Sequence, residues 1–413
     1  MPDVTREVRF DTVHGPSLVA QATVSPTTLT LGVEEEFLLA DPRTGRVVPA
    51  AREIRERAAG PGADRLVFEL TQFQLESNTA VHTSLRDLHG DLLEMRRAAA
   101  GAAASVGLAL VACGTALDGN PGVPPLSPCP RYQAMLREFG AIMEGQGVCG
   151  CHVHVGIADR EEALRVSNHL RPWLPILQAL AANSPIADGR DTGYASWRAP
   201  MMGRWPSAEP PPFFRSVEHY ESLVAGMLAG GTILDRGMIY WMVRPSDHVP
   251  TLEIRAADVC PTAGETVLLA GLVRGLAETA LRDVRAGVPA PEVEDTLLRA
   301  AYWRAARDGV DGQALDLLAG AGVSGDRVRG DRVGGDRVYG DRVPAWRLVD
   351  RLLDHVRPVL EENGDWTPLT DQIERLRRSG SGAARQRAAY ARRGRLCDVA
   401  ELLMAQTSAS CWA

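Results

Sequence analysis

Residues 28–48 read TLTLGVEEEFLLADPRTGRVV, which predicts two strands joined by the turn DPRTG. In an extended strand, side chains two residues apart point to the same side of the sheet. Glu34 and Glu36 are therefore predicted to share one face. A face with paired carboxylates is suited to binding cations.

Two further strands have the same design as this acidic strand. In CHVHVG, His152 and His154 share one face, and in TLEIRAAD, Glu253 and Arg255 share one face. In each strand, Val, Leu or Ile residues occupy the opposite face. An ordinary solvent-facing strand would carry a mixture of Thr, Ser, Lys and Gln. The three strands instead concentrate groups that bind hard cations and phosphates.

The order of the remaining elements indicates the fold class. Strands are predicted over 108–115, 147–157, 238–245 and 251–259, and helices over 84–106, 160–182, 217–230, 263–286, 291–308, 345–363, 368–379 and 383–406. Strands cluster in the first two-thirds of the chain, helices lie between them, and helices alone follow Pro261. This order favours an α+β fold with a mainly antiparallel sheet over a parallel βαβ array.

The chain organisation predicted from the sequence is simple. Residues 1–28 lack periodicity and are expected to form a flexible arm, and residues 29–413 are expected to form one catalytic domain. Residues 325–343 repeat GDRV with a period of five. The period lacks the nine-residue signature of calcium solenoids, and each Asp is followed by Arg. We interpret this repeat as a low-complexity loop insertion without chemistry.

Composition excludes several classes of partner. The formal net charge of −7 and pI of about 5.8 argue against nucleic-acid binding. No apolar run approaches the ~18 residues of a membrane span. The N-terminus lacks the layout of a signal peptide, so a cytoplasmic location is expected. The seven scattered cysteines predict reduced thiols.

The sequence contains no lysine, so all 45 basic residues are arginine. This excludes a lysine Schiff base, a lysyl-AMP intermediate and a P-loop lysine. Phosphate groups must therefore be bound by arginine, backbone N–H groups or metal ions.

The three carboxylates Glu34, Glu36 and Glu253 would repel one another on a common face. Two carboxylates about 4 Å apart cost about 4 kcal/mol at an effective dielectric near 20. Arg255 and divalent ions are the candidates that offset this repulsion. Mg²⁺ prefers oxygen ligands, and His152 could complete a site for Mg²⁺ or for Mn²⁺ in its place.

Other interpretations of the same residues stay open at this point. The EEE run alone is typical of a solvated edge, and Glu253 with Arg255 could be a structural ion pair. His154 could be a core histidine. A zinc site in CGCHVH is disfavoured, because four ligands on one strand cannot reach one tetrahedral ion.

Two more stretches supply candidate site residues. In ELTQFQLESNT, Glu69 and Glu76 are seven residues apart, which places them on one face of a helix but on opposite faces of a regular strand. We therefore expect only one of them in the site. In DTGYASWRAPMMGRWP, Arg198 is a candidate phosphate clamp, with a surface arginine as the alternative.

With GVEEEF, ELTQFQLESNT, CGCHVHVG, NSP, DTGYASWR and RPSDHVPTLEIRAAD in this order, the chain resembles the type 2 glutamate–cysteine ligases, also called carboxylate-amine ligases. The likeness runs from about Leu29 to Thr407. It implies the glutamine-synthetase-like catalytic fold: a curved, mainly antiparallel sheet with the site on its concave face and helices packed on its outer face. It also implies a homodimer.

The resemblance further implies roles for individual residues. The implied metal ligands are Glu34, Glu36, Glu76, His152 and Glu253, and the implied nucleotide- and phosphate-contacting residues are Ser196, Arg198 and Arg255. Glu76 is thereby favoured over Glu69. Met201, Met202 and Glu209 depart from the family pattern near the substrate loop, which leaves the amino-acid specificity open.

The implied function is an ATP- and magnesium-dependent ligase that joins small-molecule carboxylic acids and amines. The carboxylate would attack the γ-phosphate of ATP, and the amine would displace phosphate from the acyl phosphate. Arg198 and Arg255 would stabilise the transferring phosphoryl group. Glutamate and cysteine are the leading pair. The alternatives are another acid and amine pair, a guanidino-kinase-like phosphotransferase and a non-catalytic binding protein.

Overall fold

The structure, a computed structural model, describes residues 28–119, 122–319 and 341–409. The predicted arm therefore lies outside the described residues except for Thr28. Most of the GDRV repeat lies outside them as well. The strands are β1 (Leu31–Ala40), β2 (Leu66–Phe68), β3 (Gln74–Asn78), β4 (Ala109–Val111), β5 (Gly150–Gly156), β6 (Ile186–Ala187), β7 (Arg190–Asp191), β8 (Val243–Pro245), β9 (Thr251–Asp258), β10 (Gln313–Asp316) and β11 (Asp341–Pro344).

Seven of these strands form one sheet in which every described pair is antiparallel. The order is β2-β3-β1-β5-β9-β8, and β4 pairs with the end of β1. β1 is central because it pairs with β3 on one edge and with β5 on the other. β10 with β11 and β6 with β7 form two small separate hairpins. The predicted mainly antiparallel sheet is confirmed.

Every predicted helical stretch contains a helix, and α1, α3 and α6 are additional to the prediction. They are α1 (Ala51–Arg57), α2 (Leu85–Ser105), α3 (Pro130–Phe139), α4 (Arg160–Leu170), α5 (Leu174–Leu180), α6 (Arg198–Met202), α7 (Val217–Ala229), α8 (Ala263–Arg285), α9 (Asp295–Asp308), α10 (Ala345–Glu362), α11 (Trp366–Ser379), α12 (Gly382–Arg393) and α13 (Leu396–Thr407). Ser84 is the N-cap of α2, and its hydroxyl accepts a hydrogen bond from the Asp87 amide.

The helices bury the apolar face of the sheet. Val33, Val153 and Ile254 belong to one core cluster with Leu88 of α2 and Val267 of α8. The same cluster extends from Leu31 to Leu376. The single catalytic domain and its boundaries stay a prediction. Among the described residues, no helix combines the length and apolar character that a bilayer span needs.

Four local predictions are corrected by the structure. The helix predicted over 160–182 is broken between α4 and α5, because Pro172 has no N–H group to donate to the carbonyl of Asn168 four residues earlier. The helix predicted over 383–406 is likewise two helices, which meet at Gly394 with φ of 65°.

The other two corrections concern strands. The strand predicted over 238–245 begins only at Val243, because Ile239 and Trp241 pack into an aromatic cluster away from the sheet. The loop predicted over 325–343 is wrong at its end, since residues 341–343 lie in β11 and pair with β10.

Candidate active site

The register of the central strands brings the charged residues of β1, β3, β5 and β9 onto one face. Glu36 lies opposite Glu76, and Glu34 lies opposite His152. His154 lies opposite Glu253 on the next pair of strands. This face is turned away from the core helices. The charged faces predicted for β1, β5 and β9 therefore lie side by side on one face of the sheet.

The first group of possible metal ligands comprises Glu34, His154 and Glu253, with one ligand atom from each within 4.8 Å of the others. Nε2 of His154 lies 3.1 Å from a Glu34 oxygen, and its Nδ1 lies 2.8 Å from the Thr251 hydroxyl. A hydroxyl or carbonyl partner on one ring nitrogen commonly orients a histidine whose other nitrogen binds metal. His154, which the sequence prediction left outside the metal set, therefore lies in the site.

The second group comprises Glu36, Glu69 and Glu76, whose ligand atoms also lie within 4.8 Å of one another. Burial and the neighbouring Glu69 raise the pKa of Glu36 to about 8. Burial, together with Glu34 and Glu69, raises the pKa of Glu76 well above its usual value. The three carboxylates repel one another, and a bound cation would offset that repulsion.

His152 lies between the two groups. Its Nδ1 is 2.9 Å from a Glu34 oxygen, and its Nε2 is 3.9 Å from a Glu36 oxygen. Within the described part of the chain, this buried Nε2 has no hydrogen-bond partner. Burial and the nearby Arg255 lower the pKa of His152 to about 4, so the ring is neutral at pH 7. A neutral ring with an unpartnered nitrogen, beside the carboxylates of Glu34, Glu36 and Glu253, fits divalent cations.

Glu69 is a second site residue outside the predicted metal set, in which Glu76 is favoured over it. It follows β2, in which Val67 lies opposite Glu76 on β3. Because Glu69 is two residues beyond Val67, it points to the same side of the sheet as Glu76. The sequence prediction treated Glu69 and Glu76 as parts of one regular strand. The chain instead turns between Leu70 and Phe73, so the two residues follow the side-chain alternation of two different strands.

A bulge between β5 and β9 places Arg255 beside His152. Cys151 pairs with Ala257 and Val153 with Ile254, so two residues of β9 oppose His152 alone. Nη1 of Arg255 lies 3.4 Å from Nδ1 of His152 and also donates to Glu253. This bulge is a local irregularity that side-chain alternation in the sequence cannot indicate.

Glu253 is bound by a second arginine that sequence analysis missed. Nε of Arg244 donates to Glu253 at 2.8 Å, while Nη1 of Arg244 donates to three backbone carbonyls. Burial would raise the pKa of Glu253, but Arg244 and Arg255 lower it below its usual value. Glu253 is therefore ionised throughout the physiological range.

Arg198 opens the short helix α6 and reaches the same cleft. The polar walls of this cleft include Glu36, Glu69, His152, Arg198 and Arg255. The Arg198 side chain is buried, and in the described residues its Nε has no hydrogen-bond partner. A buried guanidinium at the wall of an acidic cleft is suited to an anion that enters with cations.

Ser196 is placed differently from the predicted nucleotide contact. It is fully buried, and its hydroxyl donates to Asp258 at 2.8 Å and accepts from the Ala199 amide at 3.3 Å. The hydroxyl thus supports the segment that carries Arg198. A direct contact between Ser196 and a nucleotide stays a prediction.

Comparison with known protein families gives a match over most of the chain. The family model described as glutamate-cysteine ligase family 2 matches residues 30–401. A putative glutamate–cysteine ligase 2 of Salinispora tropica is 47% identical over 91% of this chain and 93% of its own length. A putative glutamate–cysteine ligase 2-1 of Saccharopolyspora erythraea is 48% identical over 92% of this chain and 95% of its own length.

Two solved structures share the fold at low sequence identity. A glutamate–cysteine ligase from Francisella tularensis in complex with AMP has a TM-score of 0.63 and 13% identity, and the match covers 93% of this chain and 89% of that one. A bifunctional glutathione synthetase from Pasteurella multocida has a TM-score of 0.62 and 15% identity over 93% of this chain. The present chain spans about half of that bifunctional enzyme, at 53% of its length.

Proposed function

Because the chain belongs to glutamate-cysteine ligase family 2, we propose that it forms an amide bond between a carboxylic acid and an amine at the expense of ATP. The observation that carries this proposal is the pair of possible metal-ligand groups on one face of the sheet, beside a cleft lined by His152, Arg198 and Arg255. Glutamate and cysteine are the leading pair of substrates, because the curated relatives carry that name.

Magnesium, or manganese in its place, is the proposed cofactor. One ion would be held by Glu34, His154 and Glu253, and another by Glu36, Glu69 and Glu76, with His152 between them. Bound ions would neutralise the phosphates of ATP and align the γ-phosphate. The AMP bound to the Francisella enzyme supports a nucleotide as the ligand of the same fold.

The proposed reaction balances without a covalent protein intermediate. An oxygen of the substrate carboxylate attacks the γ-phosphorus, the bond to the bridging oxygen breaks and ADP leaves. The amine nitrogen then attacks the acyl carbon, inorganic phosphate leaves and the amine loses a proton. Arg198 and Arg255 would stabilise the negative charge on the transferring phosphoryl group.

The cysteines nearest the site are unsuited to a nucleophilic role. Burial and the Glu36 carboxylate raise the pKa of Cys149 well above its usual value. A hydrogen bond with Cys260, together with burial, raises the pKa of Cys151 in the same direction. Neither thiol is therefore ionised at neutral pH, and the reaction proposed above requires no thiolate.

A product assay over a panel of acids and amines tests the proposal. We expect ADP and phosphate to form only when ATP, a divalent cation, an acid and an amine are all present. Formation of AMP and pyrophosphate would contradict the acyl-phosphate route. A stable phosphorylated product from one substrate would instead support a phosphotransferase.

Substitution of the proposed ligands tests the site itself. We expect Glu34→Gln and Glu253→Gln each to lower the rate of ADP formation by roughly 10²-fold or more, since each removes a charge from the cleft. Glu53→Gln is the matched control, because Glu53 is half exposed and forms an ion pair with Arg57 on the surface of α1. Equal activity of all three variants would contradict the assignment.

A further inference from the structure

Asp258, the last residue of β9, is a buried carboxylate to which the reaction described above gives no role. It is 1% exposed. One oxygen accepts hydrogen bonds from the Asn183 amide at 2.9 Å and the Ser184 hydroxyl at 2.6 Å, and the other accepts from the Ser196 hydroxyl at 2.8 Å. Three donors from one loop therefore converge on a single side chain of the central sheet.

The two serine hydroxyls that donate to Asp258 also accept hydrogen bonds from the first residues of α6. The Ser184 hydroxyl accepts from the Arg198 amide at 3.1 Å, and the Ser196 hydroxyl accepts from the Ala199 amide at 3.3 Å. These are the first two N–H groups of the helix, which have no partner within it. Because each hydroxyl also donates to Asp258, the backbone of Arg198 is tied to the sheet through two short bridges.

The sheet also leaves room for the guanidinium at this point. Gly150 of β5 lies opposite Asp258 of β9. A Cβ atom at Gly150 would lie 2.3 Å from Nη2 of Arg198, so the guanidinium occupies the space that a side chain would fill. The Gly150 amide donates to Glu36 at 2.6 Å, which places Arg198 next to the second group of carboxylates.

We infer that Asp258 is a positioning residue that holds Arg198 in the cleft through Ser184 and Ser196. The inference rests on the proposed function, in which Arg198 contacts the transferring phosphoryl group. Asp258 acts at the backbone of Arg198, while the glycine at 150 admits the side chain. Removal of one acceptor oxygen from Asp258 should therefore displace Arg198 without removing it.

A double-mutant cycle tests this inference. We expect Arg198→Ala to lower kcat for ADP formation by about 10²-fold and Asp258→Asn by about 10-fold. If Asp258 acts through Arg198, the double variant should be no slower than Arg198→Ala alone. Multiplication of the two effects would overturn the inference, because Asp258 would then contribute independently of Arg198.

Asp365→Asn is the matched control in the same cycle. Asp365 is also a buried aspartate that accepts a hydrogen bond from an arginine, Arg274, but it lies outside the cleft. Any reduction of kcat by Asp365→Asn should be independent of Arg198, so the double variant should show the product of the two single reductions. Coupling of the same size at Asp365 would show a general loss of stability and would overturn the specific role of Asp258.

Amide hydrogen exchange separates this inference from the proposed function. Asp258→Asn should speed exchange of the Arg198 and Ala199 amides, and Asp365→Asn should leave these two amides unchanged. If the wild-type protein forms no ADP with any pair of substrates, the proposed function fails. Unchanged protection of both amides in Asp258→Asn would overturn the positioning role regardless of activity.

Discussion

At the scale of single residues, the site depends on one position without a side chain. Gly150 provides its amide to Glu36 and leaves the space that the Arg198 guanidinium fills. The atoms that a Cβ would meet are the far end of a flexible side chain, so the fold could accommodate alanine by moving that side chain. The cost of such a change should therefore appear in activity rather than in stability.

Gly150→Ala is expected to lower the rate of ADP formation by about 10²-fold, because a shift of about 1 Å at a catalytic group has an effect of that size. Gly226→Ala is the control, since nothing lies within 4 Å of its Cβ position and it sits in a helix. Steady-state kinetics and thermal unfolding of both variants check the prediction. An active Gly150→Ala protein would show that the position of Arg198 has no bearing on the reaction.

Glu35 shows how differently neighbouring residues of one acidic run are used. It lies between Glu34 and Glu36 but points to the core, where it is 1% exposed. Arg96 of α2 binds it through two nitrogens at 2.6 and 2.9 Å, and the Thr266 hydroxyl of α8 donates to it at 2.6 Å. The middle glutamate thus fixes β1 to two helices while its neighbours face the cleft.

At the scale of elements, this buried pair should govern the stability of β1. Glu35→Gln would leave Arg96 without its counter-charge, and breaking a buried ion pair typically costs about 3–5 kcal/mol. Glu361→Gln is the control, because Glu361 pairs with Arg357 on the exposed face of α10 and such pairs contribute below about 1 kcal/mol. Urea unfolding of both variants measures the difference, and equal midpoints would contradict it.

The strands show what sequence can and cannot predict here. The shared faces of Glu34 with Glu36, and of Glu253 with Arg255, followed directly from the two-residue period of a strand. The position of Glu69 did not, because it depends on the turn that joins two strands. The bulge that aligns Arg255 with His152 is a property of pairing between distant strands, which no local pattern encodes.

Histidines illustrate a different limit. His152 and His154 have the same spacing and the same face, so the sequence could not separate their roles. The structure separates them by their neighbours, since His154 is held by the Thr251 hydroxyl whereas Nε2 of His152 faces Glu36. Partners contributed by other strands decide the chemistry of each ring.

At the scale of the whole molecule, the predicted α+β fold with a mainly antiparallel sheet is confirmed by the strand pairing and by the similar solved structures, and the family resemblance is confirmed by the family match. The chain is an enzyme of the glutamate–cysteine ligase type. The homodimer, the cytoplasmic location and the single catalytic domain stay predictions. Met201 lines a second cleft, which shares Gly147 and Val148 with the cleft of the site.

The accumulated charge of the cleft should make stability depend on pH. The pKa of Glu36 rises from 4.5 to about 8 on folding, so the folded state binds its proton more tightly than the unfolded chain. Its contribution to stability is complete below pH 4.5 and is lost as the pH rises towards 8. The pKa of His152 falls from 6.5 to about 4 on folding, so protonation of this ring destabilises the folded state. The contribution of His152 to stability is therefore complete above pH 6.5 and is lost only as the pH falls towards 4.

Metal-free protein is therefore expected to unfold at a temperature a few degrees lower at pH 8 than at pH 6.5. Added Mg²⁺ or Mn²⁺ should reverse this loss, because an ion that binds only the folded state stabilises it. Thermal unfolding with EDTA, and then with each cation, provides the comparison. A melting temperature that rises between these two pH values without metal would contradict the predicted repulsion.

The central claim is that the charged face holds divalent cations that bind the phosphates of a nucleotide. Anomalous scattering from crystals grown with Mn²⁺ and a non-hydrolysable ATP analogue tests it most directly. We predict one manganese peak among Glu34, His154 and Glu253 and another among Glu36, Glu69 and Glu76, with the phosphates between Arg198 and Arg255. Manganese peaks or nucleotide density found only away from this cleft would contradict the account.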